Sequence, residues 1–129
     1  MQKFSIKTSS RGELIDITQK IKSLVADKGV NQGVCTVYCP HTTAAITINE
    51  SADPSVASDI EMKLRKMIPK NENYSHMEGN SDAHIKSSLV GNTSQIIIDN
   101  GNLQLGTWQG IFFCEFDGPR TRNVWVQIS

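Results

Sequence analysis

The chain has 129 residues, which is long enough for one hydrophobic core and too short for two independent ones. Its 13 basic residues balance 13 acidic ones, and this excludes a global electrostatic attraction to nucleic acid or to an anionic membrane. No apolar stretch approaches the roughly 20 residues of a membrane span, and three cysteines form no even disulfide set, so we expect one cytoplasmic domain over residues 1–129.

The first elements are a strand and a helix. Phe4 and Ile6 alternate with polar residues, which is the two-residue period of a half-buried strand. After a short apolar segment, Thr18 is placed to cap a helix that Gly29 ends. We expect this helix to be structural.

Two strands and a second helix follow. Residues 35–39 and 43–49 are rich in β-branched and alternating apolar residues, and we expect them to pair across the turn between them. Asp53 followed by Pro54 predicts a helix start, and Pro69 predicts its end. The apolar stripe of this helix consists of Val56, Ile60, Leu64 and Met67.

The second half of the chain predicts a loop, a short helix and four strands. Residues 70–82 are rich in turn formers and poor in core candidates. Asp82 is placed to cap a helix that Gly91 closes. The remaining strands form two expected hairpins, one around Asn100-Gly101 and one with residues 111–116 facing residues 124–128 across a turn at residues 117–119.

This pattern of about seven to nine strands and three helices, with strands at both ends of the chain, favours an α+β fold that is mainly β. The expected architecture is an antiparallel β-sandwich with two or three flanking helices.

All three histidines, His41, His76 and His84, lie at element boundaries or in a loop. His84 falls in the first turn of a helix, where the helix dipole disfavours an imidazolium and favours the neutral ring of a metal ligand or general base. Together, three imidazoles can hold a divalent cation (Zn or Mg) with an open position. The alternative, three unrelated surface histidines, stays open because their spacing matches no compact zinc signature.

Carboxylates and amides supply further candidates. Asn49 ends a predicted strand and Glu50 follows it directly, and Glu50 is equally well explained as a solvated side chain. Glu115 interrupts the apolar run IFFCEF on the same strand face as Phe113. A carboxylate there needs a partner, which Arg120 or Arg122 can supply.

The run Gly106-Thr107-Trp108-Gln109-Gly110 combines flexible positions with polar side chains. Thr107 and Gln109 are candidates to line a site, whereas Trp108 is better explained as a core or subunit-interface anchor. Arg120 follows a tight turn, a position suited to a phosphate clamp or to a solvated hairpin end. The three cysteines lie in expected strands and are explained by packing.

Two long segments carry a family resemblance: HTTAAITINESADP, and the stretch from SHMEGNSDAHIKSSLVGNTSQ to DGPRTRNVWVQI. In order and over essentially the whole chain they resemble the YjbQ-like (UPF0047) family. The resemblance implies an antiparallel β-sandwich assembled as a homotrimer, with polar pockets near subunit boundaries. The positions that match the family's polar motif are His41, Asn49, Glu50, His76, Asp82, His84, Gln109, Glu115 and Arg120. The turn at Gly118-Pro119-Arg120 departs from the pattern of many relatives.

The resemblance also implies a secondary thiamine-phosphate synthase activity, in which a hydroxymethylpyrimidine diphosphate is joined to a thiazole phosphate and pyrophosphate is released. We expect a metal at His41, His76 and His84, and Arg120 at the departing pyrophosphate. Metal-dependent hydrolysis and non-catalytic binding of a phosphorylated metabolite remain the alternatives. The expected partners are a small phosphorylated substrate and two further copies of the chain.

Overall fold

The computed structural model describes all 129 residues of the chain. They form eight strands and three helices, which are joined by turns and loops. In chain order the elements are β1 (Gln2–Lys7), β2 (Glu13–Asp16), α1 (Thr18–Lys28), β3 (Gly33–Tyr38), β4 (Ala44–Glu50), α2 (Pro54–Met67), α3 (Ser81–Val90), β5 (Thr93–Asp99), β6 (Asn102–Leu103), β7 (Gln109–Glu115) and β8 (Thr121–Ile128). The α+β, mainly β prediction is confirmed.

The strands form two antiparallel sheets. The five-stranded sheet has the order β1-β8-β3-β5-β6, and the three-stranded sheet has the order β2-β7-β4. The main core includes residues of both sheets and of α1, with Val37 and Val126 from the larger sheet and Ile46 and Phe113 from the smaller one. The sheets and α1 therefore enclose the principal apolar layer.

The smaller sheet is covered on its second face as well. Ala45, Cys114 and Phe116 form a second apolar cluster with Ala83 of α3. This double coverage explains why β7 is buried from Gly110 to its end, because both faces of a central strand then need apolar side chains.

Several local signals are confirmed. Gly29 ends α1 in the left-handed conformation with φ 69°, and the side chain of Asp53 accepts a hydrogen bond from the amide of Ser55 at 2.9 Å, with Pro54 in the first turn of α2. The turn between β5 and β6 places Asn100 and Gly101 at φ 51° and 76°, as a type I′ hairpin turn requires.

Two expected hairpins are wrong. β3 pairs with β5 and β8, whereas β4 pairs with β7. Likewise β7 pairs with β2 and β4, whereas β8 pairs with β1 and β3. In both places the chain crosses from one sheet to the other, because a short turn joins neighbouring elements without specifying which strands exchange hydrogen bonds.

Two expected helix caps are also wrong. Thr18 is the first residue of α1, and Asp16 accepts a hydrogen bond from its amide at 2.9 Å. Asp82 lies inside α3, which begins at Ser81, and its carboxylate binds basic side chains rather than helix amides. None of the three helices has both the length and the apolar character that crossing a membrane requires.

Candidate functional site

A polar cleft lies between the β3–β4 connection and α3. Its volume is about 470 Å³, and none of the seven residues that line it is hydrophobic: His41, Thr42, His84, Ser87, Ser88, Gly91 and Asn92. We call it the His41–His84 cleft. It brings together two of the three histidines that the sequence singled out.

Local structure explains how the two walls meet. The amide of Cys39 donates to the carbonyl of Asn92 at 2.8 Å, which joins the end of β3 to the segment after α3. The cleft residues 84, 87 and 88 of α3 recur at the spacing of one helix face, and residue 91 follows directly after the helix. The hydroxyl of Ser87 donates to the carbonyl of Ala44 at 2.7 Å and fixes α3 against β4.

His41 is partly buried and held by the larger sheet. The backbone amide of Asn123 in β8 donates to His41 Nε2 at 2.8 Å, and the imidazole meets the ring of Phe113 edge-on with centroids 6.5 Å apart. Burial, with a further contribution from the nearby Arg122 guanidinium, lowers the pKa of His41 below 6.5. A neutral ring is therefore favoured near pH 7.

A buried ion pair lies beside His41. The Glu115 side chain is fully buried, and the guanidinium of Arg122 binds both of its oxygens. The hydroxyl of Thr8 donates to Glu115 at 2.8 Å, and the amide of Asp117 donates at 3.1 Å. Burial raises the pKa of Glu115, but these hydrogen bonds outweigh burial and the pKa is lowered.

The sequence offered Arg120 or Arg122 as the partner of Glu115, and the structure pairs Glu115 with Arg122. Because the Glu115 side chain is fully buried and its hydrogen bonds go to protein groups, its influence on the cleft passes through Arg122.

The remaining histidine lies on the other side of α3. The rings of His76 and His84 meet edge-on with centroids 5.5 Å apart, and both residues line a second cleft of about 390 Å³. Nε2 of His76 lies 3.7 Å from a carboxylate oxygen of Glu78, and the side chains are 44% and 76% exposed, respectively. His84 therefore stands between the two clefts.

The three histidines do not form the expected metal site within one chain. No group of three or more His, Cys, Asp or Glu side chains is placed to hold a metal ion. His41 is unsuited in its own right, since its Nε2 lone pair already accepts the Asn123 amide. A single chain therefore contains no preformed site in which the three imidazoles share a divalent cation.

Asp82 anchors the helix that carries His84. Its carboxylate is fully buried and accepts hydrogen bonds from both terminal nitrogens of Arg11 at 3.0 Å and from Lys86 Nζ at 2.9 Å. Burial raises its pKa, but the hydrogen bonds from Arg11 and Lys86 outweigh this and lower the pKa to about 2. Asp82, which matched the family's polar motif, is therefore explained by its buried contacts with Arg11 and Lys86.

The other predicted substrate residues lie elsewhere. Asn49 and Glu50 pair with Gly110 and Gln109 at the far end of the smaller sheet. Asn49 is five residues beyond Ala44 in β4, which is about 17 Å at the rise of an extended strand. Glu50 lines a separate acidic cleft against α2.

Thr107 and Gln109 lie near the Asn49 end of the smaller sheet, whereas Arg120 lies near its opposite end, beside Asp117. Thr107 is exposed in the turn before β7, and the side chain of Gln109 accepts a hydrogen bond from the amide of Gly106 at 2.8 Å. Arg120 does not line the His41–His84 cleft; it pairs with Asp117 at 3.1 Å and is half exposed.

The cysteines are free and buried. Burial raises the pKa of Cys35 and of Cys39 to about 11 and that of Cys114 to about 12, so their thiols are poor nucleophiles at neutral pH.

Sequence reasoning missed five residues of the cleft: Thr42, Ser87, Ser88, Gly91 and Asn92. The helical spacing of Ser87 and Ser88 from His84 is a signal that was available in the sequence. The role of the Asn123 amide had no such signal, because any residue supplies a backbone N–H.

The chain matches the family described as "UPF0047 protein YjbQ-like" over residues 2–129. It is 60% identical over 126 residues to the UPF0047 protein MJ1081 of Methanocaldococcus jannaschii, covering 98% of this chain and 91% of that protein. It is 49% identical to the UPF0047 protein YugU of Bacillus subtilis, covering 99% and 98%. A solved structure of a YjbQ/UPF0047 protein from Clostridium acetobutylicum has a TM-score of 0.98 and 56% identity, with both chains covered completely.

Proposed function

Because this chain belongs to the YjbQ-like UPF0047 family, we propose that it is a transferase with thiamine-phosphate synthase activity, the activity that the family resemblance implies. The reaction joins a hydroxymethylpyrimidine diphosphate to a thiazole phosphate and releases pyrophosphate. The observation that carries the proposal is the His41–His84 cleft, which is lined by two histidines from different parts of the fold and by no hydrophobic residue.

The chemistry of the lining suits an oxygen-rich ligand. Hydroxyl, amide and imidazole groups can donate hydrogen bonds to the oxygens of a phosphate ester or a diphosphate. As the carbon–nitrogen bond forms and the diphosphate departs, negative charge grows on the leaving group. Donors already aimed at that charge lower the barrier, and His84 is the lining residue that can also exchange a proton.

The proposal includes assembly as a homotrimer with the clefts near subunit boundaries. Large apolar side chains are exposed around α3, with exposed fractions of 43% for Ile85, 62% for Leu89 and 91% for Met77. Such side chains beside a polar cleft are typical of a surface that another copy covers. The cleft itself contains no Lys or Arg, so in this proposal a neighbouring subunit supplies positive charge to the diphosphate.

The test is a coupled assay of thiamine phosphate formation and pyrophosphate release with purified protein and the two substrates. We expect turnover by the wild type and a loss in kcat/KM of about 100-fold or more for His84→Ala. The matched control is Gln127→Ala, an exposed residue of β8 away from the cleft, which we expect to leave kcat/KM unchanged.

Absence of product with the wild type, at protein concentrations above those of the substrates, would refute the synthase reaction. Saturable binding of the pyrimidine diphosphate without turnover would then support the alternative of a non-catalytic trimer. Full activity in His84→Ala would remove the His41–His84 cleft as the reaction site.

A further inference from the structure

The hydrogen bond to His41 determines which ring nitrogen carries the proton. The Asn123 amide can only donate, so Nε2, at 2.8 Å, must accept through its lone pair. A neutral imidazole has one proton, which is then on Nδ1. Reversing the ring would place a carbon opposite the amide and lose this bond, so the contact also defines the ring orientation.

Arg122 fixes the backbone that makes this contact. Its side chain is 3% exposed and binds Glu115 on the inside of the sandwich. The same guanidinium donates to the Thr43 carbonyl at 3.2 Å and to the Thr43 hydroxyl at 2.9 Å. Arg122 precedes Asn123 in β8, so its hydrogen bonds join this part of β8 to the turn just after His41. The same guanidinium therefore fixes the backbone on the Asn123 side and on the His41 side of the contact.

The other ring nitrogen is left for a ligand. Nδ1 of His41 has no hydrogen-bond partner within the chain. Only one buried side-chain polar atom lacks a partner, and that atom is Oδ1 of Asn80, so Nδ1 of His41 is not buried. Nδ1 is thus accessible to solvent. Because His41 lines the His41–His84 cleft, Nδ1–H is the polar ring group that a ligand there can reach.

We propose that His41 is a neutral hydrogen-bond donor that presents Nδ1–H to an acceptor oxygen of the ligand, and that Arg122, held by Glu115, is a positioning residue for this tautomer. The ligand class is a molecule with phosphoryl or carbonyl oxygens in the cleft. His41 then acts neither as a metal ligand nor as a general base through Nε2. The identity of the cleft as a ligand site rests on the proposed function; the tautomer and its positioning do not.

The tautomer is measured by long-range proton–nitrogen NMR correlation on the full-length, ¹⁵N-labelled protein at pH 7, without substrate. The chain has three histidines, so few signals need assignment, and the set of signals that is lost in His41→Asn is assigned to His41. We expect a protonated Nδ1 and an unprotonated Nε2 for His41. A protonated Nε2, or protonation of both nitrogens, would overturn the proposal.

Two substitutions separate the ring positions. The Asn amide nitrogen can replace His Nδ1–H, whereas the longer Gln side chain reaches the position of Nε2. With inorganic pyrophosphate as the probe, we expect about tenfold weaker binding for His41→Ala, recovery in His41→Asn and none in His41→Gln. Recovery by Gln and not by Asn would show that Nε2 contacts the ligand and would contradict the proposal.

Positioning is tested by Arg122→Lys, which keeps the charge and loses the forked donor geometry. In Arg122→Lys we expect the His41 nitrogen signals to report a mixture of tautomers. In the control Arg120→Lys we expect the same signals as in the wild type. Thr43→Val, which removes one acceptor of Arg122, is the milder variant should Arg122→Lys fail to fold. Unchanged His41 signals in the folded variants would exclude a positioning role.

The two proposals fail separately. The expected tautomer in a protein that forms no thiamine phosphate refutes the synthase reaction alone. A protonated Nε2 in an active enzyme refutes the role of His41 alone.

Discussion

His41 and His76 differ in how the fold holds them, although both lie in connections between regular elements. His41 receives a backbone hydrogen bond at 2.8 Å and lies beside the buried pair of Glu115 and Arg122. His76 has a side chain that is 44% exposed and faces Glu78 across 3.7 Å in a loop. An exposed pair of this kind contributes about 0–1 kcal/mol, so one imidazole is preorganised and the other is adaptable.

The difference shows that the chemistry of a histidine depends on the protein groups that contact its ring. A contact with a rigid strand fixes both the proton position and the orientation of a ring. A ring in a polar loop can change its partners when a ligand or a subunit arrives. The two histidines therefore suit different tasks, His41 as a fixed donor and His76 as an exposed wall of the second cleft.

The largest expected effect comes from removing the support of His41. Arg122→Met leaves Glu115 buried without its counter-charge, and we expect a loss of about 3–5 kcal/mol in the free energy of unfolding, measured by urea denaturation. The control is Arg120→Met, because Arg120 is half exposed and pairs with Asp117 at the surface; there we expect less than about 1 kcal/mol. Equal losses in the two variants would contradict the difference between buried and exposed pairs.

A smaller effect is expected on the α3 side, through pH. The pKa of Asp82 is lowered from 3.8 to about 2, so its carboxylate stabilises the fold above pH 3.8 and this contribution is lost as the pH falls towards about 2. Asp82→Asn should cost about 2–3 kcal/mol at pH 7, because charge-assisted hydrogen bonds to Arg11 and Lys86 are lost.

The measurement is acid unfolding followed by circular dichroism. We expect the wild type to lose stability between pH 3.8 and about 2 more steeply than Asp82→Asn. The control Asp59→Asn changes an exposed carboxylate of α2 and should follow the wild type. Identical acid curves for Asp82→Asn and the wild type would show that Asp82 does not supply this part of the pH dependence.

The smallest effect is expected at the loop histidine. His76→Ala should change the free energy of unfolding by less than about 0.5 kcal/mol, as is usual for an exposed side chain. His41→Ala should cost about 0.5–1.5 kcal/mol, because the hydrogen bond from the Asn123 amide to Nε2 is lost. Urea midpoints of the two variants compare them directly, and a reversed order would contradict the structural distinction between the two histidines.

The local elements were predictable because their signals are short-range. The αL conformation of Gly29, the Asp53 cap and the Asn100-Gly101 turn depend on residues within one turn of each other. The burial of Glu115 on the Phe113 side of β7 followed from strand alternation, and so did the need for a basic partner.

The candidate site was predictable only in part. His41 and His84 do line one cleft, but Asn49 and Gln109, which the sequence placed in the same site, lie at the opposite end of β4. Strand propensity could not distinguish these ends, since it does not reveal where along a strand the neighbouring helix crosses.

The sequence alone determines where strands, helices and turns occur, which strand faces are apolar, and that Glu115 requires a counter-charge. These features are readable because periodicity and capping act between close neighbours in the chain. The assignment of β3 and β8 to one sheet and of β4 and β7 to the other needed the folded chain, as did the contact of Asn123 with His41. Both join residues far apart in the chain, and backbone hydrogen-bonding groups are the same at every non-proline position, so side-chain identity does not encode which of them meet.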